Sequence, residues 1–379
     1  MQIENNLSFS ISNSVNDIPE TEWNRLFDES VIEGFGYHKT LEESNLKEFS
    51  IHYLLAKRNN KLIAIIPFFT CDFSFTTLIQ GKLQKVIQGI QKWFPCFLKF
   101  RLLFVGSPTS EELYIGIDKN ESLETILNEA AKIIKSAAKK EKATAILFFN
   151  LSEKHRDIST HLHKQSFASM KSFPNTVLEI SASSLEDYIN QLGKNTRKSL
   201  RRKLRDTQSL AQLKTEILED ISAVKDRIYE LYLNNLTDSD VSFEILTPEF
   251  FTNIAKYMPD TAKYFLTYDN SNIIAFNLLF IKGDTAIDKF IGFDKELSRK
   301  YNLYYATFSY NLNYCIKNNI RFYQLGVTDY EPKVRLGAKI IPLYVYAKFM
   351  NPLVNIIAKP ILSLIQPSNF DPVLKAIKY

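Results

Sequence analysis

Residues 53–69, YLLAKRNNKLIAIIPFF, and residues 264–280, YFLTYDNSNIIAFNLLF, align without a gap 211 positions apart, with six of seventeen residues identical. Self-similarity at a long separation constrains the fold more than any single motif, because both copies must form the same local structure and bury the same face. Each copy is a β-branched, aliphatic run interrupted by an Asn-containing turn, which predicts a β-hairpin. The elements after each hairpin also repeat in order. In the second half, AKYFLTY, IIAFNLLFI and TAIDKFIGF predict an antiparallel meander, followed by a helix over 303–317 and a strand at 320–326. In the first half the hairpin is followed by a strand, RLLFV at 101–105, and a helix over 121–141. That helix carries Leu123, Ile126, Leu127, Ala130, Ile133 and Ile134 on one face, and the strand ATAILFFN comes after it. A helix between the third and fourth strands implies a parallel crossover. The unit is β-β-β-α-β, written twice, and 379 residues suit two such domains. The expected boundaries are 1–172, with an insertion at 73–100, and 173–345, with a basic helix at 193–206. An apolar extension over 346–379 is expected to follow.

Composition narrows the functional classes. Three cysteines, Cys71, Cys96 and Cys315, have no CxxC spacing, so neither a disulfide framework nor a zinc site is expected. The five histidines show no HExxH pattern and no Ser-His-Asp arrangement, so no metal is expected. The N-terminal segment lacks the basic and then apolar regions of a signal peptide, and no run reaches about 18 uninterrupted apolar residues. A reducing, cytoplasmic setting is the expectation. The net charge of +5 conceals an asymmetry: seven cations at 194–205, five at 73–110 and five at 332–370, with no acid in any of these segments. Concentrated positive charge points to an anionic ligand or surface.

Within 194–205, helical spacing places Arg197, Arg201 and Arg205 on one stripe and Lys194, Lys198 and Arg202 on another, with Leu200 and Leu204 left to anchor the remaining face. Seven like charges so close repel one another, so a polyanion is the natural partner. Two further segments, 78–98 and 350–367, combine aliphatic residues at helical spacing with lysines and no acid. They suit either an anionic membrane surface or the protein's own core.

A tandem β-β-β-α-β architecture resembles the GNAT acyltransferase superfamily, and specifically its FemABX-like branch, which adds amino acids to peptidoglycan precursors. The likeness rests on GKNTRKSLRRKLRDTQS at 193–209, on YHKTLEES at 37–44, and on the segment from FIGFD at 290–294 to LGAK at 336–339. It implies mixed α/β sheets flanked by helices. It also implies acyl-CoA or aminoacyl-tRNA as donor, and a phosphate-bearing acceptor such as a peptidoglycan or lipid-linked precursor. tRNA and an anionic membrane are further implied partners, at the inner face of the cytoplasmic membrane. The first copy would help form the acceptor site and the second would carry the donor site and chemistry. Arg197, Lys198, Arg201 and Arg202 would bind phosphates, and Lys333, four residues after Asp329, would bind substrate or cofactor. The loop RKYNLYYA at 299–306 lacks the glycines that hold pyrophosphate in acetyl-CoA enzymes, leaving Arg299, Lys300 and Asn302 as its polar contacts. The competing class is a non-catalytic binding protein.

N-acyl transfer needs a base for the amine and an acid for the leaving group. Asp288, flanked by apolar residues on a strand and expected to share a face with Ala286 and Phe290, is desolvated as a base requires. Asp329 and Tyr330 follow the last core strand, at the edge where α/β folds place ligands, and complete the set of catalytic candidates. Asp294 reads as a turn residue.

Overall fold

The computed structural model describes residues 6–74, 89, 93, 99–238, 245–327, 329–362, 366–369, 371–377 and 379. In chain order the elements are β1 (Leu7–Ser12), α1 (Glu20–Leu26), α2 (Phe35–Glu43), β2 (Ser50–Arg58), β3 (Lys61–Ser74), β4 (Lys99–Val105), β5 (Gly116–Ile117), α3 (Leu123–Lys140), β6 (Ala145–Leu151), α4 (Arg156–Lys164) and β7 (Ala168–Lys171). There follow β8 (Asn175–Glu179), α5 (Leu185–Gln191), α6 (Lys194–Leu210), β9 (Leu213–Leu218), α7 (Lys225–Asp238), α8 (Pro248–Tyr257), β10 (Ala262–Asp269), β11 (Asn272–Lys282), β12 (Thr285–Phe293), α9 (Lys295–Lys300), α10 (Leu303–Lys317), β13 (Phe322–Gln324), α11 (Tyr330–Arg335) and β14 (Lys339–Ile341). The chain ends with β15 (Tyr344–Phe349), α12 (Pro352–Leu362) and α13 (Pro372–Ala376).

Two units result: Met1–Phe173 with Pro342–Tyr379, and Pro174–Ile341. The chain passes between units at Phe173–Pro174 and at Ile341–Pro342, and a proline holds each preceding residue extended. One sheet runs β1-β2-β3-β4-β6-β15-β7, with β5 on β3; the other runs β14-β8-β13-β12-β11-β10-β9. Read from opposite ends, the two orders correspond strand for strand. The expected parallel crossovers are present, β4 beside β6 and β12 beside β13.

The sequence repeat is a repeat of backbone geometry. Asn59 and Asn270, identical in the alignment, both adopt a left-handed conformation in the hairpin turn, with φ of 50° and 54°. Asn tolerates this region better than other non-glycine residues. The register irregularity also recurs at the aligned step, between Ala56 and Lys57 in one hairpin and between Thr267 and Tyr268 in the other. Above the first sheet α3 buries Ile126, Leu127, Ala130, Ile134 and Ala138; above the second α10 buries Phe308, Leu312 and Cys315 against Leu279, Ala286 and Tyr323. Each large apolar side chain so buried contributes about 1.5–3 kcal/mol.

Two expectations need correction. The residues expected as an extension over 346–379 belong to the first unit, where β15 lies between β6 and β7. The second unit accordingly closes at Ile341 rather than at 345. The amphipathic segment 78–98 falls outside the described residues except for Gly89 and Trp93. In 350–367, α12 turns Ala358 and Leu362 inward and leaves Leu353, Val354, Ile356 and Ile357 exposed. Among the described residues no helix is long and apolar enough to cross a membrane.

Candidate functional site

The second unit holds a polar cluster inside its core. It is built where β12 outruns its parallel neighbour: pairing with β13 ends at Ile287–Gln324, and Asp288 is the next residue. A bulge falls at the same place, since Leu279 lies opposite Asp288 and Leu278 opposite Phe290, leaving Lys289 unopposed. Bulges re-aim side chains. Asp288 keeps the face of Ala286 and Leu279, whereas Phe290 turns to the other face and meets Tyr232, Phe250 and Phe251. The expectation that Asp288 and Phe290 share a face is therefore corrected.

Asp288 accepts hydrogen bonds from Asn277 Nδ2 at 3.0 and 3.1 Å, one to each carboxylate oxygen, and from the Tyr323 hydroxyl at 2.7 Å. Asn311 Nδ2 on α10 donates to the Tyr323 oxygen at 3.2 Å. Burial dominates the electrostatics and raises the Asp288 pKa from the ordinary 3.8 to about 6, against the opposing pull of Asn277, Tyr323, Lys333 and Asn311. Burial likewise keeps Tyr323 and Tyr304 protonated, with the charge of Asp288 adding to the effect. It also pushes the Cys315 thiol up to about 12. The amide oxygens of Asn277 and Asn311 have no partner. A carboxylate at this pKa is ionised near neutrality and more basic than an ordinary one, which suits proton abstraction.

The first unit supplies an internal control. The aligned hairpins put Ile66 at the place of Asn277 and Phe68 at that of Leu279; Val105 lies opposite Phe68, as Asp288 lies opposite Leu279. The parallel pairs Phe104–Leu147 and Ile287–Gln324 then put Ile146 at the place of Tyr323. Along the preceding helices Ile126, Ala130, Ile134 and Ala138 fall at Leu303, Thr307, Asn311 and Cys315. The four polar positions of the second unit are thus Ile66, Val105, Ile134 and Ile146 in the first, all buried. The fold fills these places with aliphatic side chains when nothing else is required of it, and burying polar groups there instead costs stability.

Around this cluster the other candidates occupy distinct settings. Lys333 is buried and donates to the Gly326 and Val327 carbonyls at 3.4 and 3.1 Å. Tyr330 is buried, and its hydroxyl donates to the Pro174 carbonyl at 3.1 Å, which gives it a structural contact. Asp329 is exposed and left-handed at the start of α11, with φ 45°. Asp294 caps α9 through the Glu296 and Leu297 amides and pairs with Arg227 at 2.9 Å, in keeping with a turn role.

Asn302 begins α10 with φ 48°. The glycine-free loop thus still makes the left-handed turn, through the residue type best able to replace glycine there. The basic helix α6 docks on this turn: Thr207 Oγ1 donates to the Tyr301 carbonyl at 2.7 Å, and Lys203 Nζ lies 3.5 Å from the Tyr305 ring centre. Leu200 and Leu204 anchor α6 to the core as its periodicity indicated. Arg197 donates to the Asn190 carbonyl, and Arg201 binds Glu186 and the Asn190 side chain, so both stiffen the junction with α5. Lys198, Arg202, Arg205 and Arg299 are exposed. Asn277, Asn311 and Tyr323 were missed in the sequence; polar residues inside otherwise apolar strand and helix faces are the signal that marks them.

In the first unit His38 shares hydrogen bonds with Ser107 Oγ at 2.9 Å and Tyr53 Oη at 3.2 Å. Burial lowers the His38 pKa to about 3, so the ring stays neutral, and all three residues lie within the core. Among the described residues no group of His, Cys, Asp or Glu is arranged to hold a metal.

Comparison with known proteins matches residues 14–337 to the FemAB_like family model, described as "Peptidogalycan biosysnthesis/recognition". The crystal structure of FemX superposes with a TM-score of 0.56 at 12% identity, covering 92% of this chain and 99% of that one. A tandem GNAT protein from the clavulanic acid biosynthesis pathway gives 0.54 at 9% identity, covering 92% and 99%. L-PGS from Bacillus licheniformis gives 0.51 at 10% identity, covering 89% and 98%. Similarity also extends, at 23% identity over 319 residues, to proteins of two Mycobacterium tuberculosis strains named "Putative 8-amino-7-oxononanoate synthase 2". The match covers 82% of this chain but only 41% of those proteins' length. The fold is a tandem GNAT fold, and the chain belongs to the FemAB_like family.

Proposed function

We propose that this FemAB_like chain is an N-acyl or aminoacyl transferase acting on an amine of a cell-envelope or lipid-linked precursor. Asp288 is its general base. The observation that carries this reading is the polar cluster kept in one copy of the repeat and replaced by aliphatic residues in the other. In the reaction Asp288 takes a proton from the acceptor amine, and the amine nitrogen forms a bond to the donor carbonyl carbon. The bond from that carbon to the donor's sulfur or ribose oxygen breaks, and the leaving atom takes up the proton that Asp288 removed, which returns Asp288 to its ionised form. Asp329 and Tyr330 rank behind Asp288, because Asp329 is exposed and the Tyr330 hydroxyl is engaged with Pro174.

The donor's phosphates bind at the α9–α10 turn, where Asn302 opens the helix and Arg299 with the neighbouring face of α6 supplies positive charge. Lys198, Arg202 and Arg205 are exposed α6 cations available to phosphate, while Arg197 and Arg201 hold that helix to α5. Membrane attachment through the exposed aliphatic face of α12 suits a lipid-linked acceptor, since 342–369 carries lysines and no acid.

Thermal stability against acetyl-CoA, a long-chain acyl-CoA, charged tRNA and a nucleotide-linked muropeptide tests the reading. A ligand at 100 times its Kd adds about 2.7 kcal/mol. Stabilisation by an acyl-CoA or by charged tRNA supports transfer and identifies the donor. Stabilisation by muropeptide alone favours a binding protein, and no stabilisation by any of the four overturns the proposal.

A further inference from the structure

Three separate elements each place a buried polar side chain in the network around Asp288. Asn277 comes from β11, Tyr323 from β13 and Asn311 from α10. Packing does not require them, because Ile66, Ile146 and Ile134 fill the equivalent places of the first unit. Nor are the amides fully satisfied, since each leaves its oxygen without a partner, a cost that a purely structural network would not retain. The hydrogen bonds converge on one carboxylate. Asn277 spans both of its oxygens and Tyr323 donates to one, while Asn311 holds the Tyr323 oxygen. A carboxylate held by a planar amide across both oxygens and by a phenol on one cannot rotate about its terminal torsion without breaking at least one bond.

We propose that Asn277 and Tyr323 are positioning residues, with Asn311 orienting Tyr323. They fix the plane of the Asp288 carboxylate and set the pH range over which it is ionised. This rests on the reading of Asp288 as the base. Donors to a carboxylate favour its charged form, so each donor removed moves ionisation to higher pH. The titratable groups whose charge reaches Asp288 are Lys333 on α11, Tyr304 and Cys315 on α10, and Tyr323 itself. Burial keeps the two tyrosines and the thiol neutral near neutrality, so none of those three titrates in the same window.

The test is carboxyl-carbon NMR of protein labelled at aspartate, with the Asp288 signal assigned through Asp288→Asn and followed from pH 4 to pH 9. Tyr323→Phe and Asn277→Leu are each expected to raise the Asp288 midpoint by about one pH unit, the loss of one charge-assisted hydrogen bond. Midpoints unchanged in both folded variants would overturn the proposal. Should Tyr323→Phe fail to fold, Asn277→Leu decides alone. The pH–rate profile then separates this inference from the one beneath it. If the acid limb of kcat/KM moves with the NMR midpoint, both stand. If the midpoint moves and the acid limb does not, the positioning holds and Asp288 is not the base.

Discussion

Asp288 lies at a point of conflict between stability and chemistry. The folded protein holds its proton up to about pH 6, whereas the unfolded chain releases it near 3.8. As the pH rises through that window the unfolded state gains relative to the native one, and above it the buried charge is a standing cost of at most about 3 kcal/mol. Asp288→Asn should therefore be more stable than the parent at pH 7.5, by about 1–2 kcal/mol, with the difference vanishing below pH 4. Urea unfolding at both pH values measures this, and a less stable variant at pH 7.5 would contradict the assigned desolvation. The residue itself was legible as an acid among apolar neighbours on a predicted strand. Its partners were not, because convergence of Asn277, Tyr323 and Asn311 depends on the register of three elements far apart in sequence. The unopposed Lys289 was also invisible, and with it the turning of Phe290 to the opposite face.

At the scale of elements, α10 formed over the predicted 303–317, because its apolar spacing and the following Asn pair bound it on both sides. The short strands β8 and β14 could not be read in this way, whereas β13 lies inside the strand expected at 320–326. Three to five residues carry no clear period, and their pairing is set by long-range register. Two backbone positions make this scale testable. A Cβ on Gly292 would come within 2.4 Å of the Phe276 ring and 2.6 Å of the Leu231 backbone, so Gly292→Ala must push α7 away from β12. A loss of about 2–3 kcal/mol is expected in chemical denaturation. Asn302 takes a left-handed turn, so Asn302→Val should cost about 1–2 kcal/mol while Asn302→Gly is nearly neutral. Equal losses for Val and Gly would mean that the Asn side chain, rather than its backbone, matters at the start of α10.

For the whole molecule, the repeat gave the architecture and concealed the way the chain closes it. The hairpins, meanders and crossover helices follow from local pattern. The placement of β15 in the first sheet does not, because 346–379 is apolar enough to read as an appendage until its pairing with β6 and β7 is known. Truncation after Ile341 should therefore abolish cooperative folding of the first unit, detected as lost amide-exchange protection in β6 and β7. Retained protection would restore the extension to an appendage. Divergence between the copies is also informative at this scale, since the one with the half-buried carboxylate is the one whose crossover helix is flanked by the cationic α6.

The central claim is that Asp288 performs the chemistry of the second unit. Its most direct test is transfer itself: purified protein is incubated at pH 7.5 with the donor that stabilises it and an amine-bearing envelope precursor, and the acceptor is followed by mass. The account predicts a new amide on the acceptor with the parent protein, and a rate about 10²–10⁴-fold lower with folded Asp288→Asn. Equal rates for the two proteins would contradict it.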